Sequence, residues 1–234
     1  MRIRADFAER VVVGPDDHHW VPSPAAGVER MMLDRVGDEV ARATSLVRYA
    51  PNSTFPPHTH GGGEEFLVLD GAFGDEHGLY PQGTYVRNPI GTSHAPRVGP
   101  AGATIFVKLH QFAVDDTAPV LVRPDDAEWR PGLVDGLQVL PLHDHEGEHV
   151  ALVRWAPHTR FNAHSHFGGE EIYVVDGVFH DEHGRYTAGT WLRSPHLSRH
   201  TPYVEDEGAL LYVKVGHLHP DSLLGIGAAP SERR

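Results

Sequence analysis

The residues best suited to chemistry in this chain come in two sets of four. FPPHTHGGGEEFLVLDG (residues 55–71) and FNAHSHFGGEEIYVVDG (161–177) each carry His-x-His followed by Glu four residues after the second histidine. Downstream, GTYVRNPIGTSH ends at His94 and GTWLRSPHLSRH at His200, each eleven residues past the glycine that opens the segment. The first set is His58, His60, Glu64 and His94; the second, shifted by 106 residues, is His164, His166, Glu170 and His200. Three imidazoles and a carboxylate converging inside an apolar barrel are costly to bury without a partner. A divalent metal supplies that partner, and this donor set suits iron, manganese, nickel or zinc. Two metals per chain are therefore expected.

Histidine is abundant here, 19 of 234 residues, so a lone His-x-His is a weak motif. His143 with His145 and His217 with His219 also fit it, without the rest of the context, and are expected to be surface or local-packing histidines. The full pattern H-x-H-x3-E-x6-G-x11-G-x5-P-x4-H occurs twice. Accident does not explain that.

Strands and turns must position these groups. Residues two apart on a strand face the same way, so each His-x-His pair projects together. Glycines at 61–63 and 168–169 let the chain turn and bring the glutamate back toward the same space. By parity with Glu64, Phe66 and Val68 should line the barrel interior, and Glu65 and Glu171 should face outward as solvated charges. Tyr85 and Trp191 read as core or pocket lining. Asp75, Glu76, His77 and Gly78, with their partners at 181–184, read as turn chemistry at hairpin tips. For Arg48, Arg87 and Lys108, and their partners Arg154, Arg193 and Lys214, two readings stand: anchors for an anionic substrate, or strand-surface cations.

The repeat extends over whole domains. Residues 46–108 align with 152–214 without a gap, about half of them identical, and PDDHHWVP (15–22) answers PDDAEWRP (124–131) at an offset of 109. A period of this length is too long for a solenoid unit and fits a duplicated small domain. Short runs rich in Val, Ile, Thr and aromatics, bounded by Gly, Pro, Asp and Asn, predict an all-β sandwich or barrel in each copy. The expected domains are 1–115 and 116–220, with a mobile C-terminal tail at 221–234.

Composition excludes several functions. Lys plus Arg is 20 and Asp plus Glu is 32, a net charge of −12 that repels nucleic acids and anionic membranes. With no cysteine there is no disulfide, thiolate metal site or cysteine nucleophile. The opening MRIRADFAER lacks an apolar run, and a cytoplasmic protein is expected, with neither nucleic acid nor membrane as partner.

Both copies resemble the two halves of the cupin motif, and the wording FPPHTHGGGEEFLVLDGAFGDEHGLYPQGTYVRNPIGTSHAP is similar to the ChrR-like branch of that superfamily. The resemblance covers nearly the whole chain. It implies two tandem jelly-roll (double-stranded β-helix) barrels forming a bicupin, with the eight residues above as metal ligands. One departure stands out: where the first copy has Gly91, the second has Leu197, which should alter the turn or narrow the mouth of the second site.

The branch includes small iron-dependent dioxygenases that cleave β-diketones or hydroxyacetophenones, and the zinc-binding half of certain anti-sigma factors. The first implies an oxidoreductase acting on a small oxygenated molecule, with four protein ligands leaving open positions on the metal. The second implies a non-catalytic zinc sensor whose metal is coordinatively closed; direct sigma-factor inhibition is disfavoured, since there is no cysteine for the His and Cys zinc site of those factors. A manganese isomerase or decarboxylase is a third class. A small-molecule substrate and a homodimer formed through sheet edges complete the expectation.

Overall fold

A computed structural model describes residues 1–223; the rest of the tail expected to be mobile lies outside the described residues. The chain forms two compact units. They differ from the successive stretches 1–115 and 116–220: among the described residues one comprises Met1–Ala5 with His19–Ala127, the other Asp6–His18 with residues 128–223. The reason is local. The strand Val11–Val13 hydrogen-bonds to Trp191–Ser194 in the second unit, and Val120–Val122 hydrogen-bonds to Tyr85–Asn88 in the first.

The first unit is a nine-stranded sheet whose main path runs Arg2–Ile3, Val28–Gly37, Ala41–Tyr49, Arg97–Leu109, Glu64–Asp75, Tyr85–Asn88, Val120–Val122. A second, two-stranded sheet pairs His58–Thr59 with Ser93–His94. The second unit repeats the plan in eight strands, with Leu137–His145, Glu148–Trp155, Ala209–Val215 and Glu170–Asp181 at its centre and His164–Ser165 paired with Arg199–His200. Every pairing is antiparallel, and the β-branched, alternating runs read from the sequence are the strands found. These are jelly-roll barrels.

The first core gathers Val28, Val47, Phe66, Val68, Phe73, Ile105 and Val107; the second gathers Leu137, Trp155, Ile172, Val174, Phe179 and Leu211. Phe66 and Val68 thus lie inside with Glu64, as strand parity requires. Both hairpin tips are present, closing at Asp75–Gly78 and Asp181–Gly184. No helix among the described residues is long and apolar enough to cross a membrane.

Parity misleads on the opposite face. Glu65 and Glu171 are each only 1% exposed, so they are not solvated charges. Glu65 accepts hydrogen bonds from Tyr85 (2.7 Å) and Arg87 (2.6 Å), while Phe112 and Asp116 close over the Arg87 guanidinium. Glu171 accepts from Trp191 Nε1 (2.7 Å) and contacts His217 Nε2 (3.0 Å), and Arg193 meets the Phe7 ring and the Asp6 carbonyl. Arg87, Arg193, Lys108 and Lys214 are buried as well, and so are not surface cations. Of the six, only Arg48 and Arg154 lie outside, stacked on Trp20 and Trp129.

Candidate metal centres

In the first unit the two-stranded sheet sets His94 directly opposite His58, and the strand beginning at Glu64 brings its carboxylate to the same point. One donor atom from each of His58, His60, Glu64 and His94 falls within 4.8 Å of the others. Glu64 Oε1 stands 3.4 Å from His60 Nε2 and 3.5 Å from His94 Nε2. On a metal with bonds of roughly 2.1 Å, donors at a right angle lie about 3 Å apart and donors at the tetrahedral angle about 3.4 Å, so these spacings suit a coordination shell.

The outward nitrogens show which way the imidazoles face. His58 Nδ1 meets the Pro56 carbonyl at 3.0 Å, and His94 Nδ1 meets Asp75 Oδ2 at 3.2 Å. His60 Nδ1 meets Thr92 Oγ1 at 2.9 Å, and that hydroxyl already donates to the Pro89 carbonyl at 2.7 Å. Each partner is therefore an acceptor, each Nδ1 carries the proton, and each Nε2 presents a lone pair. His60 Nε2 and His94 Nε2 are buried without a hydrogen-bond partner. A buried acceptor is left in that state at a cost unless a cation takes it up. The donor set fits a divalent metal.

Electrostatics agree. Burial raises the Glu64 carboxyl to about 7 against the Asn88 hydrogen bond that opposes it, and burial, then the neighbouring imidazoles, lower His60 to about 4. His94 is also lowered, chiefly by burial, although its bond to Asp75 works the other way. Without a metal, the site avoids charge.

The second cluster has the same parts in a tighter arrangement. His164 and His200 are strand partners, and the donor atoms of His164, His166 and His200 fall within 4.8 Å of one another. Glu170 is outside that set, though Oε2 reaches His166 Nε2 at 3.4 Å and His200 Nε2 at 3.6 Å. His166 Nε2 and His200 Nε2 face each other at 3.0 Å. Ser198 replaces Thr92, and its buried hydroxyl has no partner, so the bond that orients His60 has no counterpart at His166. Burial lowers His166 to about 3 and raises Glu170 to about 7. His200 is held above its ordinary value: burial lowers it, but Asp181 and Glu170 prevail.

Asp75 and Asp181 do more than shape turns. Asp75 accepts from the His77 amide (2.7 Å) and the Tyr80 hydroxyl (3.0 Å) while holding His94. Asp181 accepts from His183 N, Tyr186 and Arg10 and lies 3.7 Å from His200 Nδ1. Their repetition in FGDEHG and FHDEHG was the available signal.

The turn at Leu197 is unchanged from that at Gly91. Both residues have positive φ (62° and 87°), and their amides bond to the His166 and His60 carbonyls alike. Leu197 is 61% exposed, so its side chain points to solvent and does not narrow the mouth. What separates the sites is the space beside them. A cavity of about 360 Å³ adjoins the first cluster, walled by Val28, Tyr49, Phe73, Ile105 and Val107. A smaller one of about 230 Å³ touches His166, Glu170 and His200 from the side of Pro195 and Arg199. A groove of about 580 Å³ beside Arg48 and Asp70 touches none of the eight residues. His143 and His145 stack on each other, and His219 packs against Phe167 and His196, as local-packing histidines do.

The family model of the ChrR cupin-like domain matches the chain twice, over residues 8–113 and 117–219. No curated protein matches it in sequence. Among solved structures, a candidate dioxygenase from Nostoc punctiforme superposes with a TM-score of 0.76 at 17% identity, covering 94% of this chain and 86% of its own. The E. coli protein Ylba gives 0.67 at 16% identity, covering 91% and 93%. Oxalate decarboxylase from Lactobacillus farciminis, in complex with formate, gives 0.63 at 13% identity, covering 89% and 86%. At these identities the likeness is one of fold.

Proposed function

This chain belongs to the ChrR cupin-like family, and from that premise we propose that it is a metal-dependent bicupin whose first site is a non-haem iron(II) dioxygenase centre acting on a small diketone or hydroxyketone. One observation carries the reading: three imidazoles with their Nδ1 protons tied back and a buried carboxylate converge beside an open cavity. His58, His60, Glu64 and His94 would hold the ion. Bound there, it would supply Lewis-acid polarisation of an enolisable carbonyl and redox access to dioxygen. Pro56, Thr92 and Asp75 keep the three rings aimed, as outer partners of metal-ligating histidines do. Phe73, Ile105 and Val107 give the cavity an apolar wall that excludes water from the reacting carbon.

The test is elemental analysis of protein purified without added metal, paired with oxygen uptake on β-diketones and aryl hydroxyketones. Iron with substrate-dependent uptake that is lost in His58→Ala supports the reading. Closed four-coordinate zinc at both sites with no uptake replaces it with the sensor role. The contact between His166 and His200 favours a second metal of mainly structural use, since little room is left for substrate there. A homodimer in the cytoplasm belongs to the same proposal and is read by light scattering.

A further inference from the structure

One residue on the wall of the first cavity has no use in the metal site. Arg30 lies on the strand Val28–Gly37 opposite Val47, with Val28 two residues before it, and both valines belong to the interior core. Its side chain therefore enters the barrel, and it is the one arginine or lysine lining the cavity. Its Nε is buried without a hydrogen-bond partner, and among the described residues no ion pair or side-chain hydrogen bond engages the guanidinium. Arg30 as a whole is half-buried, and, unlike Arg87, which Glu65 holds, it has no carboxylate partner among the described residues. The two carboxylates on the same wall are already assigned: Glu64 faces the imidazoles, and Glu39 is exposed at the rim.

The charge is felt across the pocket. Burial and then Glu64 push the Tyr49 hydroxyl up while Arg30 opposes, and burial followed by Arg30 lowers the Arg35 guanidinium. Arg30, Tyr49 and Glu64 thus line one cavity. The second unit has neither residue at the same register: the equivalents of Arg30 and Tyr49 are Val139 and Trp155. The cavity beside the second cluster has its arginines, Arg10 and Arg199, at other places in the fold.

We propose that the first cavity takes a substrate bearing a carboxylate, with Arg30 as the specificity-determining residue that pairs with it while the carbonyl end faces His58, His60, Glu64 and His94. The planar, permanently charged guanidinium matches a carboxylate in geometry as well as sign. A cavity of about 360 Å³ admits a keto acid of a few carbons alongside it. The inference rests on the first cavity being the substrate pocket and adds to the ketone chemistry named above a carboxylate as the second recognised group.

Acetoacetate and acetylacetone share a shape and differ in one carboxylate, so they make a suited pair of probes. Their binding is measured by calorimetry to full-length protein, metal-free and zinc-loaded without oxygen, in wild type, Arg30→Gln and Arg30→Lys. Acetoacetate should bind more tightly than acetylacetone. Arg30→Gln should weaken acetoacetate roughly 10- to 100-fold, as loss of a charged hydrogen-bonding partner does, and leave acetylacetone within about twofold; Arg30→Lys should fall between. Equal binding of the two probes to wild type, or equal weakening of both by Arg30→Gln, overturns the assignment, as does failure of acetoacetate to bind. The wild-type comparison needs no variant, so a misfolded Arg30→Gln leaves the inference testable. Bound zinc is counted in every sample: its absence would strike the metal reading alone, because the probe preference is read on metal-free protein too.

Discussion

Each imidazole in the first cluster has its proton position set from behind, and the carboxylate has its charge set by burial. The two effects fix how the site responds to pH. Glu64 goes from 4.5 to about 7 in the folded metal-free protein, so its burial disfavours folding progressively as pH rises between those values. His60 goes from 6.5 to about 4, so stability is lost as pH falls between those values. The two trends oppose each other between 4.5 and 6.5, and the contributions of these two groups should largely cancel there. Metal binding breaks the balance. Below about 7 an incoming ion must displace the Glu64 proton but none from His60, which is already neutral above about 4. Metal affinity at the first site should therefore rise with pH up to about 7, with the Glu64 proton released on binding wherever that carboxyl is protonated. Competitive titration with a chelator at several pH values measures it. Glu64→Gln should weaken binding and flatten that slope.

At the scale of elements, a bulge in each central sheet brings the metal-site strand into register. The pairing of Arg97–Leu109 with Glu64–Asp75 shifts between Thr104 and Ile105, next to Gly71, and the second unit shifts between Val174 and Asp176, next to Gly177. Gly71 has φ of 68°, and a Cβ there would lie 2.2 Å from the Gly102 carbonyl oxygen. Backbone cannot yield as a flexible side chain can. Gly71→Ala should destabilise the protein by more than about 2 kcal/mol, since left-handed strain alone is about 1–2. Gly91 is the contrast: its φ is also positive, but an added Cβ meets nothing within 4 Å, and Leu197 already occupies the equivalent turn. Gly91→Leu should show only the strain of about 1–2 kcal/mol and leave metal stoichiometry unchanged. Urea melts followed by circular dichroism, with metal counts on each variant, compare the two.

Across the whole molecule, the two repeats exchange their leading segments. Val11–Val13 and Val120–Val122 are equivalent in the repeat, each preceding a Pro-Asp-Asp turn, yet each completes the sheet of the unit that the other repeat builds. A fragment covering 1–115 would leave the edge of Tyr85–Asn88 open to aggregation. A fragment covering 19–127 keeps Val120–Val122 and should be the soluble, cooperatively melting one; light scattering and thermal melts on both decide. Local pattern settled much of this protein. Short β-branched runs bounded by turn residues specified barrels, the duplicated His-x-His, Glu and His specified two clusters, and parity placed Phe66 and Val68 inside with Glu64, because composition, repetition and alternation along a strand are all written locally. Contacts between distant segments escaped it. Glu65 reads as solvated until Phe112 and Asp116 close over its partner Arg87, and Leu197 reads as an obstruction until the turn aims it at solvent. Arg30 has no counterpart in the second copy, so comparing repeats passed over it. Its standing as the cavity's one arginine depends on which strands enclose that space, and no local spacing encodes that.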